Sequence, residues 1–385
     1  LTRIYLDNAA TSYPKAPGVG AAAQRFIEEI GSNVNRSGYL GSLAAEETVF
    51  ATRDLLGELL NFPRSENVIF TLNVTYGLNF LLKGLLKPGD HCLVSSLEHN
   101  AIMRPLQQLE ARGVQYSRIM CDREGRLAPR HLTDQLTPRT KAVVLTHASN
   151  VCGTIVPVEE IGQICAEKGL IFIIDAAQTA GVLPLDFEKT KADALAFTGH
   201  KGLLGPQGVG GFLIKQELAE QIEPLILGGT GSLSEQETQP PYLPDKFEAG
   251  TLNLPGIAGL HAALQYLKQM GIDAIREQEL ELAGLLLEGL GNMPDVQIIG
   301  LQETQGRTAV VSVNFTDRDN GEMAYLLDKH FGIQTRCGLH CSPAAHKTLG
   351  TFPSGTVRFS PGHFNTKKEI ATAISAVHAI LTGNF

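Results

Sequence analysis

The chain has 385 residues, 43% hydrophobic and 19% charged, the composition of a soluble globular protein with more material than one small core needs. Its 40 acidic against 32 basic residues give a formal charge of −8, which argues against a nucleic-acid surface, and apolar runs such as 170–174 and 225–227 are too short to cross a bilayer. With no charged-then-apolar leader and only six cysteines (92, 121, 152, 165, 337 and 341), the chain reads as cytoplasmic and reduced.

From Asn67 to Lys215, β-type runs at 67–71, 91–95, 114–119, 141–147, 170–174, 193–198 and 209–215 alternate with longer segments, most of them of helix length. The near-continuous apolar character of runs such as Leu170–Ile174 predicts a mainly parallel sheet covered on both faces. Val209–Lys215 follows its neighbour after a short glycine-rich loop with no room for a helix, so it is expected to be antiparallel. After about Gly250 a long helical stretch, 256–290, precedes short strands at 309–315 and 357–360 and a closing helix near 367–381. This predicts a large α/β domain over 16–254, and a smaller α+β domain formed by 1–15 with 255–385.

In open α/β sheets, ligands bind beyond the carboxyl ends of the strands. Five of the predicted strands here lead into polar residues. The run 68–71 leads into Thr75 and Tyr76 at a helix start, a hydroxyl and backbone N–H groups suited to an anion. The next exits supply Glu98-His99-Asn100, then Ser149-Asn150, then Asp175 and Gln178, and finally Thr198-Gly199-His200-Lys201. Singly these have plain readings: a helix cap, a surface histidine, a turn asparagine, an N-cap aspartate. Gathered on one edge they suit a phosphorylated pyridine aldehyde. Lys201 would bond to its aldehyde carbon, Asp175 would hold its ring nitrogen protonated, His99 would stack on the ring, and Thr198 and His200 would reach the phosphate.

Seven ordered motifs carry a resemblance over nearly the whole chain: YLDNAAT at 5–11, LEHN at 97–100, THASNVCGT at 146–154, DAAQ at 175–178, TGHK at 198–201, FEAGTLN at 247–253 and RCGLHC at 336–341. The chain resembles the class V aminotransferase family of fold-type I pyridoxal 5′-phosphate enzymes, and within it the cysteine desulfurases and selenocysteine lyases. The resemblance implies a large domain around a mostly parallel seven-stranded sheet and a smaller C-terminal α+β domain. It also implies roles. Lys201 would carry the cofactor, Asp175 would pair with its pyridinium, Gln178 would bond its ring hydroxyl, and His99 would stack and shuttle protons. Thr75, Tyr76, Thr198 and His200 would line the phosphate site, with Thr251 reaching in from the other subunit of a homodimer. Asn150 and Arg358 would hold the substrate carboxylate, a task suited to a bidentate guanidinium, with Arg336 and His340 also on the substrate side.

The segment Thr335–Pro343 has three readings on its own. Cys337, His340, Cys341 and His346 could bind zinc, although the paired CxxC spacing is missing. Cys337 and Cys341 could be ordinary loop cysteines. Or Cys341 is a nucleophile whose thiolate nearby cations favour. The resemblance supports the third, because similar desulfurases have Arg-x-Gly-His-His-Cys here and form a persulfide on the last residue as alanine leaves. This chain departs from that pattern: Leu339 replaces the first His, Cys337 precedes the Gly, and the loop after Lys201 has one residue more. The expected activity is conversion of L-cysteine to L-alanine, with the sulfur passed to an acceptor protein as in sulfur metabolism and iron–sulfur cluster assembly. Selenocysteine lysis or cysteine or cystine C–S elimination is the alternative, ahead of a transaminase or a non-catalytic scaffold.

Overall fold

A computed structural model describes residues 3–34 and 38–384. Its strands are β1 (Ile4–Tyr5), β2 (Val68–Thr71), β3 (His91–Ser95), β4 (Gln115–Ile119), β5 (Thr140–Thr146), β6 (Ile171–Asp175), β7 (Ala194–Thr198), β8 (Gly210–Ile214), β9 (Val296–Ile299), β10 (Val311–Phe315), β11 (Ile333–Gln334), β12 (Arg336–Gly338) and β13 (Thr356–Phe359). Seven of them form the central sheet in the order β2-β8-β7-β6-β5-β3-β4. Only β8 is reversed, antiparallel to both β2 and β7. It is short of room: a Cβ added at Gly211 would lie 2.0 Å from the Ile69 carbonyl oxygen, so glycine is required where β8 presses between its neighbours.

The sheet is apolar on both faces because helices cover both. Leu93, Val143, Leu145, Phe172, Ile174 and Phe197 belong to one core, while Cys92, Val94, Val144, Ile173 and Ala196 belong to the other. Alternate residues of each strand thus enter opposite cores, as the period of two requires. Cys92 and Cys165 are fully buried members of these cores.

The helical stretch predicted at 256–290 is two helices, Leu254–Met270 and Ile272–Gly291, separated by Gly271 at φ 80°. They serve different domains. Leu260, Leu264 and Leu267 of the first pack into the large-domain core, whereas Leu282, Leu286 and Leu290 of the second pack with Ala373, Val377 and Ile380 of the C-terminal helix Lys367–Thr382. The helix 254–270, expected in the smaller domain, therefore packs with the large one.

The smaller domain is built on the antiparallel sheet β12-β13-β10-β9. The N-terminal segment joins it: β1 pairs in parallel with β11, and Asp7 bridges to Ser360 just after β13. This crossing brings Asp7 to the boundary between the domains. Among the described residues, no helix is long and apolar enough to cross a membrane.

Candidate active site

The carboxyl ends of β3, β5, β6 and β7 converge, and each carries a polar residue into the same region. Asp175, the last residue of β6, is buried, and its Oδ1 accepts the Ala177 N–H at 2.9 Å. Burial raises its pKa, opposed by that hydrogen bond and by the charge of Lys201. Lys201 lies three residues beyond β7. Burial lowers its amine to about 8, with Asp175 opposing the shift. Gln178 is buried and donates to the Ala9 carbonyl at 3.0 Å.

The turn carrying Lys201 is held from the N-terminal segment. The His200 carbonyl accepts from the Ser12 N–H at 2.8 Å, Lys15 Nζ at 3.0 Å and Thr11 Oγ1 at 3.1 Å. Gly199 is needed there, since a Cβ would come within 2.9 Å of the Val209 carbonyl oxygen. Past Lys201, Leu204 takes a left-handed φ of 55° and, like Leu203, is buried. The longer loop singled out in the sequence therefore folds inward, where Leu204 and Lys201 line one small cavity at the domain boundary. Two atoms beside the lysine have no partner among the described residues: Thr198 Oγ1 and His200 Nδ1 are buried and unbonded.

His99 caps the helix Asn100–Glu110, its Nδ1 accepting the Ala101 N–H at 3.0 Å. That bond fixes the neutral tautomer with the proton on Nε2. Burial, followed by the charge of Lys201, lowers its pKa to about 4. Glu98, to which the sequence reading gave no role, is fully buried and ties β3 to β5. Its Oε1 accepts from Ser95 N–H (3.1 Å) and Oγ (2.6 Å), and its Oε2 from the Thr146 N–H (2.9 Å). One correction concerns the helix Val74–Leu85. The Thr75 and Tyr76 amides, expected to be free for an anion, are taken by Asn73, whose Oδ1 accepts both at 3.0 and 3.3 Å. What these two residues offer is their exposed side chains. Tyr76 shares a cavity with Thr251, whose hydroxyl accepts from Asn33 at 3.4 Å; that cavity contains neither Lys201 nor Cys341.

The smaller domain contributes the cationic side. Arg358 on β13 is buried, donating to the Asn150 carbonyl at 2.9 Å and to Asp7 Oδ1 at 2.8 Å, while its Nε is unpartnered. Burial lowers its pKa and Asp7 opposes the shift. Arg336 pairs in register with Arg358 and approaches Asp7 Oδ2 at 3.7 Å, so one carboxylate serves two guanidinium groups. Cys337 alternates to the opposite face of β12 from Arg336.

Asn150 does more than the sequence suggested. Its Nδ2 donates to the His340 carbonyl at 2.7 Å, and its Oδ1 accepts from Ser342 Oγ at 2.7 Å. The loop it grips is strained: His340 and Cys341 have φ of 47° and 58°, a region costly for residues with a Cβ. Further bonds hold it, from the Asn100 N–H to the Cys341 carbonyl and from the Ser342 N–H to the Leu339 carbonyl, both at 2.8 Å. The His340 ring, assigned to the substrate side, is instead buried against Thr356 Oγ1 at 2.9 Å and packed beside His346; burial, then Arg358, lowers its pKa to about 2. Its backbone, through Asn150, is what touches the site. Cys341 is exposed and lines a groove with Thr75 and His99. Among the described residues, no group of three or more His, Cys, Asp or Glu is arranged to hold a metal.

The family model described as Aminotransferase class-V matches residues 4–372. The chain belongs to the class-V aminotransferase family. Among relatives, this class-V chain is 33% identical to a probable cysteine desulfurase of Methanothermobacter thermautotrophicus, over 95% of this chain and 92% of that protein. It is 34% identical to a probable cysteine desulfurase of Pyrococcus abyssi, over 98% and 94%. The apo structure of a cysteine desulfurase from Thermococcus onnurineus NA1 superposes with a TM-score of 0.93 at 32% identity, covering 99% of this chain and 95% of that one.

Within this class-V fold, Arg307 is a further residue without a sequence signal. Arg307 is fully buried, with no carboxylate paired to it among the described residues, and its guanidinium donates to the carbonyls of Leu301, Cys152, Thr308 and Val310. It ties the turn that presents Asn150 to the smaller domain. Cys152, a candidate pocket thiol by sequence, is buried in that turn with Sγ 3.2 Å from Thr154 Oγ1.

Proposed function

We propose that this chain is a pyridoxal 5′-phosphate-dependent cysteine desulfurase that converts L-cysteine to L-alanine and retains the sulfur as a persulfide on Cys341. The observation that carries this reading is the pinned, exposed Cys341 lining a groove with His99, whose ring feels the charge of Lys201, itself coupled to Asp175. The relatives' names support it.

The residues present fit the cofactor. Thr198 Oγ1 and His200 Nδ1 are buried polar atoms without partners, as a phosphate contact requires, and Asp175 has an oxygen beyond the one bonded to Ala177. Thr75, and Thr251 from a second copy, would complete the phosphate site; Tyr76 would border it. When bound, the cofactor supplies an electron-withdrawing pyridinium next to the substrate α-carbon. Asp175 would hold the ring nitrogen's proton, Gln178 would donate to the ring hydroxyl, and His99 would lie on the ring face with Nε2–H as a donor. Lys201 Nζ, a neutral amine above about pH 8, would take the α-proton. Arg358 and Asn150 would bind the substrate carboxylate, with Arg336 at the rim. Cys341 thiolate would then attack the substrate Sγ. The S–S bond forms, the C–S bond breaks with its electrons going to the substrate carbon, and that carbon is protonated as alanine.

A homodimer agrees with the exposed apolar side chains Leu40, Phe50, Leu72, Tyr76, Ile226 and Leu227. Six unpaired cysteines agree with a reducing, cytoplasmic setting. The test is to give wild type and Cys341→Ala L-cysteine, L-cystine and L-selenocysteine and to quantify alanine, pyruvate and Cys341 persulfide. Alanine with persulfide from L-cysteine, both lost in Cys341→Ala, is expected. Pyruvate and ammonia as main products would mean β-elimination.

A further inference from the structure

The groove at Cys341 is lined by two helices whose strands, β2 and β3, run the same way, so both helices start at the cysteine. Thr75, Asn79 and Lys83 recur every four residues along one wall; Ala101, Arg104, Pro105 and Gln108 follow along the other. Eight residues of helical rise make the trough about 12 Å long, enough for three or four residues of extended chain. Its charge is one-sided. Lys83 and Arg104 both line it, neither forms an ion pair among the described residues, and no Asp or Glu is among the lining residues. The chain as a whole carries −8, so this cationic groove runs against the overall balance.

Resting on the desulfurase reading, we propose that the groove between these helices is the docking track for the sulfur acceptor, and that it selects an extended polypeptide segment with acidic residues flanking the accepting thiol. The walls carry two cations and no carboxylate, and the track ends at the sulfur to be handed over. A segment of opposite charge would gain at both Lys83 and Arg104 while its thiol lies over Cys341. In the transfer, the acceptor thiolate attacks the outer persulfide sulfur. The old S–S bond breaks with its electron pair on Cys341 Sγ, returning it as thiolate, and the acceptor leaves as a persulfide; no oxidant or reductant is consumed.

The test uses the holoenzyme with L-cysteine and three short peptides, each with one cysteine, flanked by glutamates, serines or lysines. Persulfide on the peptide is read by mass spectrometry, and alanine formation with dithiothreitol as acceptor is measured in parallel. The glutamate peptide is expected to accept sulfur about tenfold faster than the lysine peptide at low ionic strength, with the difference collapsing at high salt. Lys83→Ser with Arg104→Ser is expected to flatten the order while leaving alanine formation with dithiothreitol unchanged, and Lys83→Glu to reverse part of it. Equal rates for all three peptides despite persulfide on Cys341 would overturn the docking proposal alone. So would an order that survives in the double variant, or a groove that serves dithiothreitol and no peptide because a second copy covers it. Absence of persulfide on Cys341 would overturn the desulfurase reading, and this proposal with it.

Discussion

Ser342→Ala removes one hydroxyl that the structure makes responsible for the placement of Cys341. Ser342 is fully buried, and its Oγ donates to Asn150 Oδ1 at 2.7 Å. Without it that oxygen is a buried acceptor with no donor, a loss of about 1–2 kcal/mol. The loop has little to spare. Two successive left-handed residues, His340 and Cys341, cost about 1–2 kcal/mol each, and they persist because the bonds from Asn150, Asn100 and Ser342 outweigh that cost.

Losing one of these pins shifts the loop toward conformations in which Cys341 no longer lines the groove beside His99. At about 1.4 kcal/mol per factor of ten, persulfide formation on Cys341 should slow roughly 5- to 30-fold. Lys201, Asp175 and the Thr198–His200 turn do not touch Ser342, so cofactor content should be unchanged. The assay is single-turnover persulfide formation with L-cysteine, together with hydrogen exchange at 339–342, which should accelerate by a similar factor. A wild-type persulfide rate in Ser342→Ala with exchange still accelerated would show that the pinned conformation is not the reactive one. Parallel loss of cofactor would show that the substitution acts elsewhere.

Lys201 at about 8 is ~10% neutral at pH 7, against well under 0.1% for an ordinary lysine, so cofactor uptake by the apo protein should rise about tenfold from pH 7 to 9 and then level off; a rise continuing to pH 10 in absorbance-monitored reconstitution would contradict this. Asp7→Asn leaves Arg358 buried without a counter-charge and should lower stability by about 3 kcal/mol, the low end for such a pair because Asp7 keeps some solvent contact. Calorimetry should give a melting point a few degrees lower, and kinetics a raised KM for L-cysteine. His99 at about 4 is neutral throughout the working range, so the pH profile of alanine formation should lack an inflection near 6.5, and one that disappears in His99→Gln would refute the assignment. Cys337→Ala, on the far face of β12, should leave persulfide formation within about twofold of wild type, within the scatter expected of a surface substitution.

The strand-exit residues were legible because the pattern that makes a buried parallel strand also makes its end conspicuous. β6 is apolar until Asp175, and β7 is small and apolar until Thr198, so a polar residue there has to be placed for a reason. Residues acting across long sequence separations were not legible. Asp7 meets Arg358 at a separation of 351 residues, and Lys15 meets the His200 carbonyl at 185. No local pattern marks either pairing. Glu98 looked like a neighbour of the histidine motif, because its bond to Thr146 depends on β3 and β5 being adjacent. The break at Gly271 was hidden for a different reason. Apolar residues continue at helical spacing on both sides of it, and a single glycine within a periodic stretch is ordinarily tolerated. Asn73 carried a signal that the anion expectation passed over: an asparagine just before a helix is a preferred cap, and it competes for the amides that an anion would need.

The charge arrangement explains why the imidazoles here work as neutral groups. Lys201, Arg358, Arg336 and Lys15 surround His99, His200 and His340, and burial combines with one or more of these cations to hold each ring below its usual pKa. The cations are fixed on elements of both domains, and the buried carboxylate Asp175 and the shared Asp7 offset only part of them. A site built this way would present positive charge to the proposed carboxylate substrate without any histidine having to ionise. Burial brings both Lys15 and Lys201 to about 8, and it is Lys201, where Asp175 opposes the shift, to which the proposed acid–base work would fall. The cysteine loop meets this pocket through Asn150, whose backbone carbonyl is held by Arg358 and whose side chain holds His340 and Ser342. The proposed carboxylate-binding side and the proposed nucleophile are therefore mechanically joined at one asparagine.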